Sequence, residues 1–370
     1  MVWDETFRIV HDLVNNVWKR ADTVHIDHVL EITLPISLFV IGAAGFGRRL
    51  SFSEELEVPY GYQMNFKDAL QSVCENIMIK LAIPRVILDL TKRSRKINAA
   101  FDDLQKYMLD MIHSRKQPSR EERHDLFSSL LDAADDNSDG ERILTDSELT
   151  GNIFIFLLAG HETTAHTLAF SLALLALYPD KQEKLFQEID RVSRDLDGYP
   201  AYEEMPRFPY AMAVFYETLR MRPPAATVIP KYSTEDTALN VKDAEGRMRT
   251  IPIPKGTGIN IHTVGLHNNP RYWESPDEFM PERFIGDYPK DAFLPFSGGP
   301  RACIGRRFAE TEAVAVLTVL LSQYRALVKE DPKFAGESHK QRRARLLECT
   351  NGITTTPAHI PLTFERRVPI

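Results

Sequence analysis

A single cysteine, Cys303, ends the loop Phe296-Ser-Gly-Gly-Pro-Arg-Ala-Cys-Ile-Gly305, and an apolar-periodic helix is predicted directly after it, running on to Leu321. A thiol just before a helix N-terminus meets free backbone N–H groups and the positive end of the helix dipole, and both favour the thiolate. Gly298 and Gly299 permit a tight turn and close backbone approach to a flat ligand. Arg301, two residues before the sulfur, can reach a carboxylate at that ligand's edge. Thiolate, glycine-bearing loop and arginine together describe a haem held by one axial cysteine. The same residues also admit a small buried thiol or a phosphate cradle at a helix start. A cysteine-based phosphatase would need an arginine six positions after its cysteine, where this chain has Ala309.

Two further constellations could do chemistry or hold it in place. Ala159-Gly-His-Glu-Thr-Thr164 stands inside a long helical pattern. Gly160 costs about 1 kcal/mol there relative to alanine. The threonines can bond back to carbonyls four residues earlier and bend the helix, so an interruption is expected. Phe156, Ala159, Gly160 and Thr163 share one face, and the small Ala159–Gly160 pair would let a planar ligand approach. Glu162 and Thr163 are an acid and an alcohol able to relay protons into a dry site; taken alone, they read first as a solvated acid and a packing threonine. Glu217 and Arg220, three apart on one helix, read alone as a surface pair worth a few tenths of a kcal/mol.

The cysteine string resembles the haem-binding signature of the cytochromes P450, Phe-x-x-Gly-x-Arg-x-Cys-x-Gly, through Phe296, Gly299, Arg301, Cys303 and Gly305. The helix string resembles that family's Ala/Gly-Gly-x-Asp/Glu-Thr-Thr/Ser motif, and Glu217/Arg220 its Glu-x-x-Arg, with Arg283 of Pro281-Glu-Arg-Phe284 as the third partner. The resemblance implies a haem b with Cys303 as the iron's ligand and Arg301 on a propionate. Glu162 and Thr163 would manage protons, and His161 would be structural or polar lining. Glu217, Arg220 and Arg283 would form a buried network fixing the cysteine loop, costing about 3–5 kcal/mol to break.

It further implies a monooxygenase using O2 and electrons from an NADPH-cytochrome P450 reductase, docked on a cationic face that includes Arg306 and Arg307. The substrate would be a small to medium apolar molecule over Phe156, Ala159 and the segment Ala225 to Val228. Ala159-Gly-His-Glu-Thr-Thr-Ala-His and Val40-Ile-Gly-Ala-Ala-Gly-Phe-Gly47 resemble the fungal microsomal branch, which implies the cytosolic face of the endoplasmic reticulum membrane for a full-length form. Alternatives are a P450-fold isomerase or dehydratase, and a non-catalytic remnant. Family members usually begin with an anchor and further helices, including one whose Trp-x-x-x-Arg string grips a propionate; Trp18-Lys-Arg20 lacks that spacing. The expectation is therefore an N-terminally truncated chain, soluble or peripheral as given and a poor haem protein.

The elements that must position these residues are mostly helical. Val2 to Trp18, Thr33 to Gly47, Phe66 to Leu81 and Lys92 to Arg115 carry helical periodicity. Ala82-Ile-Pro-Arg85 reads as a turn and Asp135 to Glu141 as a solvated loop. Thr145 and Glu148 have capping-box spacing ahead of a helix reaching Tyr178, followed by helices over Asp180 to Arg194 and Tyr210 to Met221. Leu239–Val241 and Met248–Ile253 form a hairpin, Gly258 to Val264 a strand, and Ala358 to Phe364 a last β segment. The reading is a mainly α fold with small β-sheets, residues 1–370 making one P450 domain.

At 370 residues with 43% apolar content, the chain can bury a sizeable core, and a formal charge of −7 gives no reason to expect nucleic-acid binding. Three scattered cysteines, Cys74, Cys303 and Cys349, suggest a reducing compartment without disulfides. No secretory signal is visible. The apolar run Thr33–Gly47 is too short for a bilayer, and Ile153–Tyr178 is interrupted by His161-Glu162.

Overall fold

The computed structural model describes the chain except for residues 53–56, 84–90, 116–124, 136–143, 197, 227–229, 244, 353 and 368–370. The first helix, α1 (Val2–Asp12), forms because Trp3, Phe7 and Val10 repeat at helical spacing and bury one stripe. It loosens into a π-turn over Leu13–Val17, and Lys19 and Arg20 in left-handed conformation end it. Trp18 then packs on Tyr324 and Phe364, with ring centroids 5.0 and 5.1 Å away. Strand β1 (Thr23–Ile26) follows. Next come α2 (Leu30–Val40), which runs on as a π-turn over Ile41–Gly45, then α3 (Phe66–Ala82), α4 (Lys92–Arg115) and α5 (Leu126–Asp135).

The axis of the fold is α6 (Asp146–Leu177), 32 residues, or about 48 Å at 1.5 Å per residue. Thr145 caps it as the spacing predicts: its Oγ1 accepts from Glu148 N at 3.2 Å, while Glu148 accepts from Thr145 N at 2.9 Å. Its C-terminal half, from Ala165 to Leu175, lies in the core. Each large side chain there is worth roughly 1.5–3 kcal/mol of burial. α2 packs along α6, and α8 (Pro209–Met221) and α10 (Arg306–Gln323) also lie against it. α7 (Pro179–Arg194) touches α6, α8 and α10.

Four small sheets complete the described fold. β1 and β6 (Tyr324–Val328) flank β9 (Leu362–Arg366), both antiparallel, so the start and end of the chain are stitched together. β2 (Lys231–Tyr232) pairs β5 (Gly258–Ile259), and β3 (Thr237–Lys242) pairs β4 (Met248–Ile253) as the predicted hairpin. β7 (Cys349–Asn351) pairs β8 (Thr355–Pro357).

Several expectations are corrected. The strand over Gly258–Val264 is only β5, because Thr263–His267 turns into the short helix α9. The segment Ala358–Phe364 begins pairing only at Leu362, after Pro361, which has no N–H to give a ladder. Helix α6 is not interrupted at Ala159–Thr164; it stays α-helical throughout. Helices α5 and α11 (His339–Leu346) and strands β1 and β6 are additions to the elements that periodicity suggests. Of the turn at Ala82–Arg85 and the loop at Asp135–Glu141, residues 84–85 and 136–141 lie outside the described residues.

The long helix Ser147–Leu177 is apolar enough by length and composition to cross a membrane, yet 61% of its most apolar window is buried within the fold. Apolar side chains from neighbouring elements cover that part of it.

Candidate active site

The loop from Leu294 to Gly305 is shaped by its own backbone. Ser297 takes a φ of 60° and Gly299 one of 71°, a one-turn 3-10 helix covers Gly299–Arg301, and Cys303 N donates to Phe296 O at 2.8 Å. At Gly299 glycine takes the left-handed backbone without strain, whereas Ser297 bears that strain in the same loop. The loop delivers Cys303 just before α10, whose N-cap is Gly305. Cys303 is exposed, as are Arg301 and Ile304. A Cβ on Gly305 would stand 3.9 Å from the Cys303 sulfur, so glycine keeps that side of the thiol open. Phe296 carries the Arg306 guanidinium 5.5 Å from its ring centroid.

Behind this loop is the ion-pair network. Arg220 donates to both Glu217 oxygens at 2.7 and 2.9 Å, with both side chains fully buried. Its remaining donors reach the carbonyls of His267 and Pro276, each at 2.8 Å. Glu217 also accepts from Met280 N at 2.9 Å and from Arg283 at 3.3 Å. Every charge thus faces an opposite charge or a backbone dipole, the condition under which buried ions are tolerated. The three predicted partners do come together.

His267, which the sequence motifs do not single out, extends the network to the cysteine loop. Its Nε2 accepts from Leu294 N at 2.9 Å, and its ring stacks on Phe293, centroids 5.4 Å apart. Burial lowers its pKa to about 4, so the ring is neutral and can accept. A histidine two residues before Asn269-Pro270 gives no sequence signal, because its partners lie far along the chain.

On α6 the predicted residues divide. Ala159 is exposed and Ile155 is 49% exposed, with Phe156 and Thr163 partly so, making a mostly apolar strip ahead of the buried C-terminal half of the helix. Thr163 Oγ1 donates to Ala159 O at 2.9 Å, and Thr164 Oγ1 to Gly160 O at 3.3 Å, the back-bonding expected of them. Gly160 serves helix packing: a Cβ there would press on Ile41 at 3.3 Å. Glu162, one residue from Thr163, points to another side, as neighbours on a helix must. It accepts from Thr354 Oγ1 at 3.5 Å, and Thr354 also meets His166 Nδ1 at 3.2 Å. Acid and alcohol are therefore not side by side, and Thr354 and His166 are additions the sequence does not suggest. Burial brings the His166 pKa down to about 4.

Arg306 and Arg307 are exposed but share one counter-ion: Glu310 lies 2.7 Å from the first and 3.7 Å from the second. Tyr216 on α8 donates to Glu310 at 2.5 Å, clamping the start of α10 to that helix. Of the segment Ala225 to Val228, residues 227 and 228 lie outside the described residues.

Comparison with known proteins agrees with this architecture. "Cytochrome P450 monooxygenase 124" of Postia placenta is 54% identical over 370 residues, covering 99% of this chain and 71% of that protein. A "Bifunctional cytochrome P450/NADPH--P450 reductase" of Bacillus cereus is 32% identical over 313 residues, covering 83% of this chain and 28% of that one. The crystal structure of the cytochrome P450DA heme domain superposes with a TM-score of 0.78 at 25% identity, covering 100% of this chain and 74% of that chain. Residues 7–345 match the cytochrome P450 family, and the chain belongs to it, as a haem-dependent monooxygenase.

Proposed function

We propose that residues 1–370 act as a single P450 unit that inserts one oxygen atom from O2 into a small to medium apolar substrate. Electrons would come from NADPH through a cytochrome P450 reductase, at the cytosolic face of the endoplasmic reticulum membrane. The observation that carries this reading is the exposed thiol of Cys303, held by a shaped loop at the start of a buried helix. A haem b fits the residues present. Cys303 offers one soft ligand, Gly305 leaves room beside it, and Arg301 is exposed for a propionate. When bound, the haem supplies the activation of dioxygen.

The chain's own residues do the rest. Ala159, Ile155 and Phe156 give the ligand an apolar wall that excludes water. Thr163 commits its proton to the Ala159 carbonyl, leaving its oxygen lone pairs to accept from a group on the exposed strip. Glu162, hydrogen-bonded by Thr354, is the acid that passes protons from the Thr354 side. The Glu217–Arg220–Arg283 network holds the cysteine loop through His267 and Leu294.

The decisive experiment is the absorption spectrum of the reduced protein under carbon monoxide. A strongly red-shifted Soret band is expected, lost in Cys303→Ala and kept in Cys74→Ala and Cys349→Ala. Survival of the band in Cys303→Ala would overturn the ligand assignment.

A further inference from the structure

Away from the cysteine loop, a second thiol sits among metal-binding groups. Ligand atoms of Cys74 on α3 and of His161 and Glu162 on α6 all lie within 4.8 Å of one another. Cys74 Sγ is 3.9 Å from His161 Nε2. We propose that Cys74, His161 and Glu162 form a binding site for a borderline-soft divalent cation of the zinc type, separate from the haem ligand Cys303.

The donor set selects the metal. One sulfur, one imidazole nitrogen and one carboxylate oxygen suit zinc, whereas calcium and magnesium require oxygen ligands. Three protein ligands with a fourth position open to water is a common zinc arrangement. With metal–ligand bonds of about 2.0–2.3 Å, tetrahedral ligands stand roughly 3.5 Å apart. The atoms here therefore need to move by about an ångström or less, within reach of side-chain rotation.

His161 is already oriented as a ligand. Its Nδ1 lies 2.9 Å from the Leu157 carbonyl, an acceptor, so Nδ1 carries the ring proton and Nε2 presents a lone pair toward Cys74. Outside the ligands, the Thr354 hydroxyl donates to a Glu162 oxygen, steadying the carboxylate. Binding would release one proton, from the Cys74 S–H to solvent, because the thiolate is the ligand.

The site shares Glu162 with the oxygen-side chemistry. An occupied site would withdraw that carboxylate from proton transfer and slow turnover. This consequence rests on the role given to Glu162 above; the binding itself does not.

The test reads metal directly, so it is independent of turnover. Equilibrium dialysis of the full chain against zinc, with excess magnesium and calcium, should give one bound zinc per chain. Cys74→Ser and His161→Gln should each weaken it at least tenfold, and Cys303→Ser should leave it unchanged, with circular dichroism confirming that each variant is folded. In the unaltered chain, zinc should protect Cys74 from iodoacetamide, read by peptide mass spectrometry, which avoids any folding defect of a variant. Equal zinc in Cys74→Ser, or protection of Cys303 in place of Cys74, would overturn the site, as would the absence of stoichiometric binding.

Discussion

The Glu217–Arg220–Arg283 network and the Cys303 loop belong to one assembly but are built on opposite terms. Glu217 and Arg220 are fully buried and saturated with partners supplied by the chain itself. Cys303, Arg301 and Ile304 are exposed, and the loop's internal bonds set its backbone while leaving these three side chains outward. The first region commits its charges to the fold; the second keeps its chemistry available for a ligand. Stability and ligand binding should therefore separate cleanly under mutation.

The largest effect expected is on the network. Arg220→Ala should destabilise the chain by about 3–5 kcal/mol, since it leaves Glu217 buried without its main partner. The loss is read as soluble yield and denaturant midpoint. Cys303→Ser should change the stability of the haem-free chain by no more than about 0.5 kcal/mol, as an exposed substitution does. Equal losses in the two variants would break the contrast.

Glu312 sharpens it, as a buried carboxylate without a counter-charge. It lies on α10, and neither of its oxygens has a hydrogen-bond partner in good geometry among the described residues. Burial raises its pKa from 4.5 to about 8, and the Ser37 hydroxyl nearby offsets only part of that rise. Between those values the folded chain binds a proton that the unfolded chain has lost, so stability falls as pH rises from about 4.5 to about 8 and levels off above. The slope from this one group is roughly 1 kcal/mol per pH unit. Glu312→Gln should flatten that slope in denaturation curves taken across the range; an unchanged slope would mean the carboxyl finds a partner.

The α6 cap offers a smaller check on the scaffold. Thr145→Ala should cost about 1 kcal/mol, by loss of the bond to Glu148 N, measured as a shift in thermal midpoint. It should not alter the haem spectrum. Thr163→Ala has the opposite profile: stability within about 1 kcal/mol of the parent, because only a back-bond to Ala159 is lost, but more peroxide released per NADPH when assayed with a reductase. Unchanged coupling would return Thr163 to a packing role.

Much of the site is legible in the amino-acid sequence alone, because its information is local. The order Phe296, Gly299, Arg301, Cys303, Gly305 encodes a turn, a helix start and a thiol within ten residues. The cap at Thr145 and the spacing of Glu217 and Arg220 are equally short-range, and legible for the same reason. Tertiary structure decides what those residues meet. Nothing near Gly160 in sequence reveals Ile41, which makes that glycine a packing residue and leaves the helix unbroken. His267 becomes a link only when Leu294 is brought to it, and Cys74 a neighbour of His161 only when α3 is laid beside α6. Strands β1 and β6 are too short to announce themselves; they exist because β9 offers both of them its edges. Local sequence specifies turns, caps and helical faces through backbone sterics and hydrogen bonds, whereas contacts between distant segments are selected by burial of the whole chain.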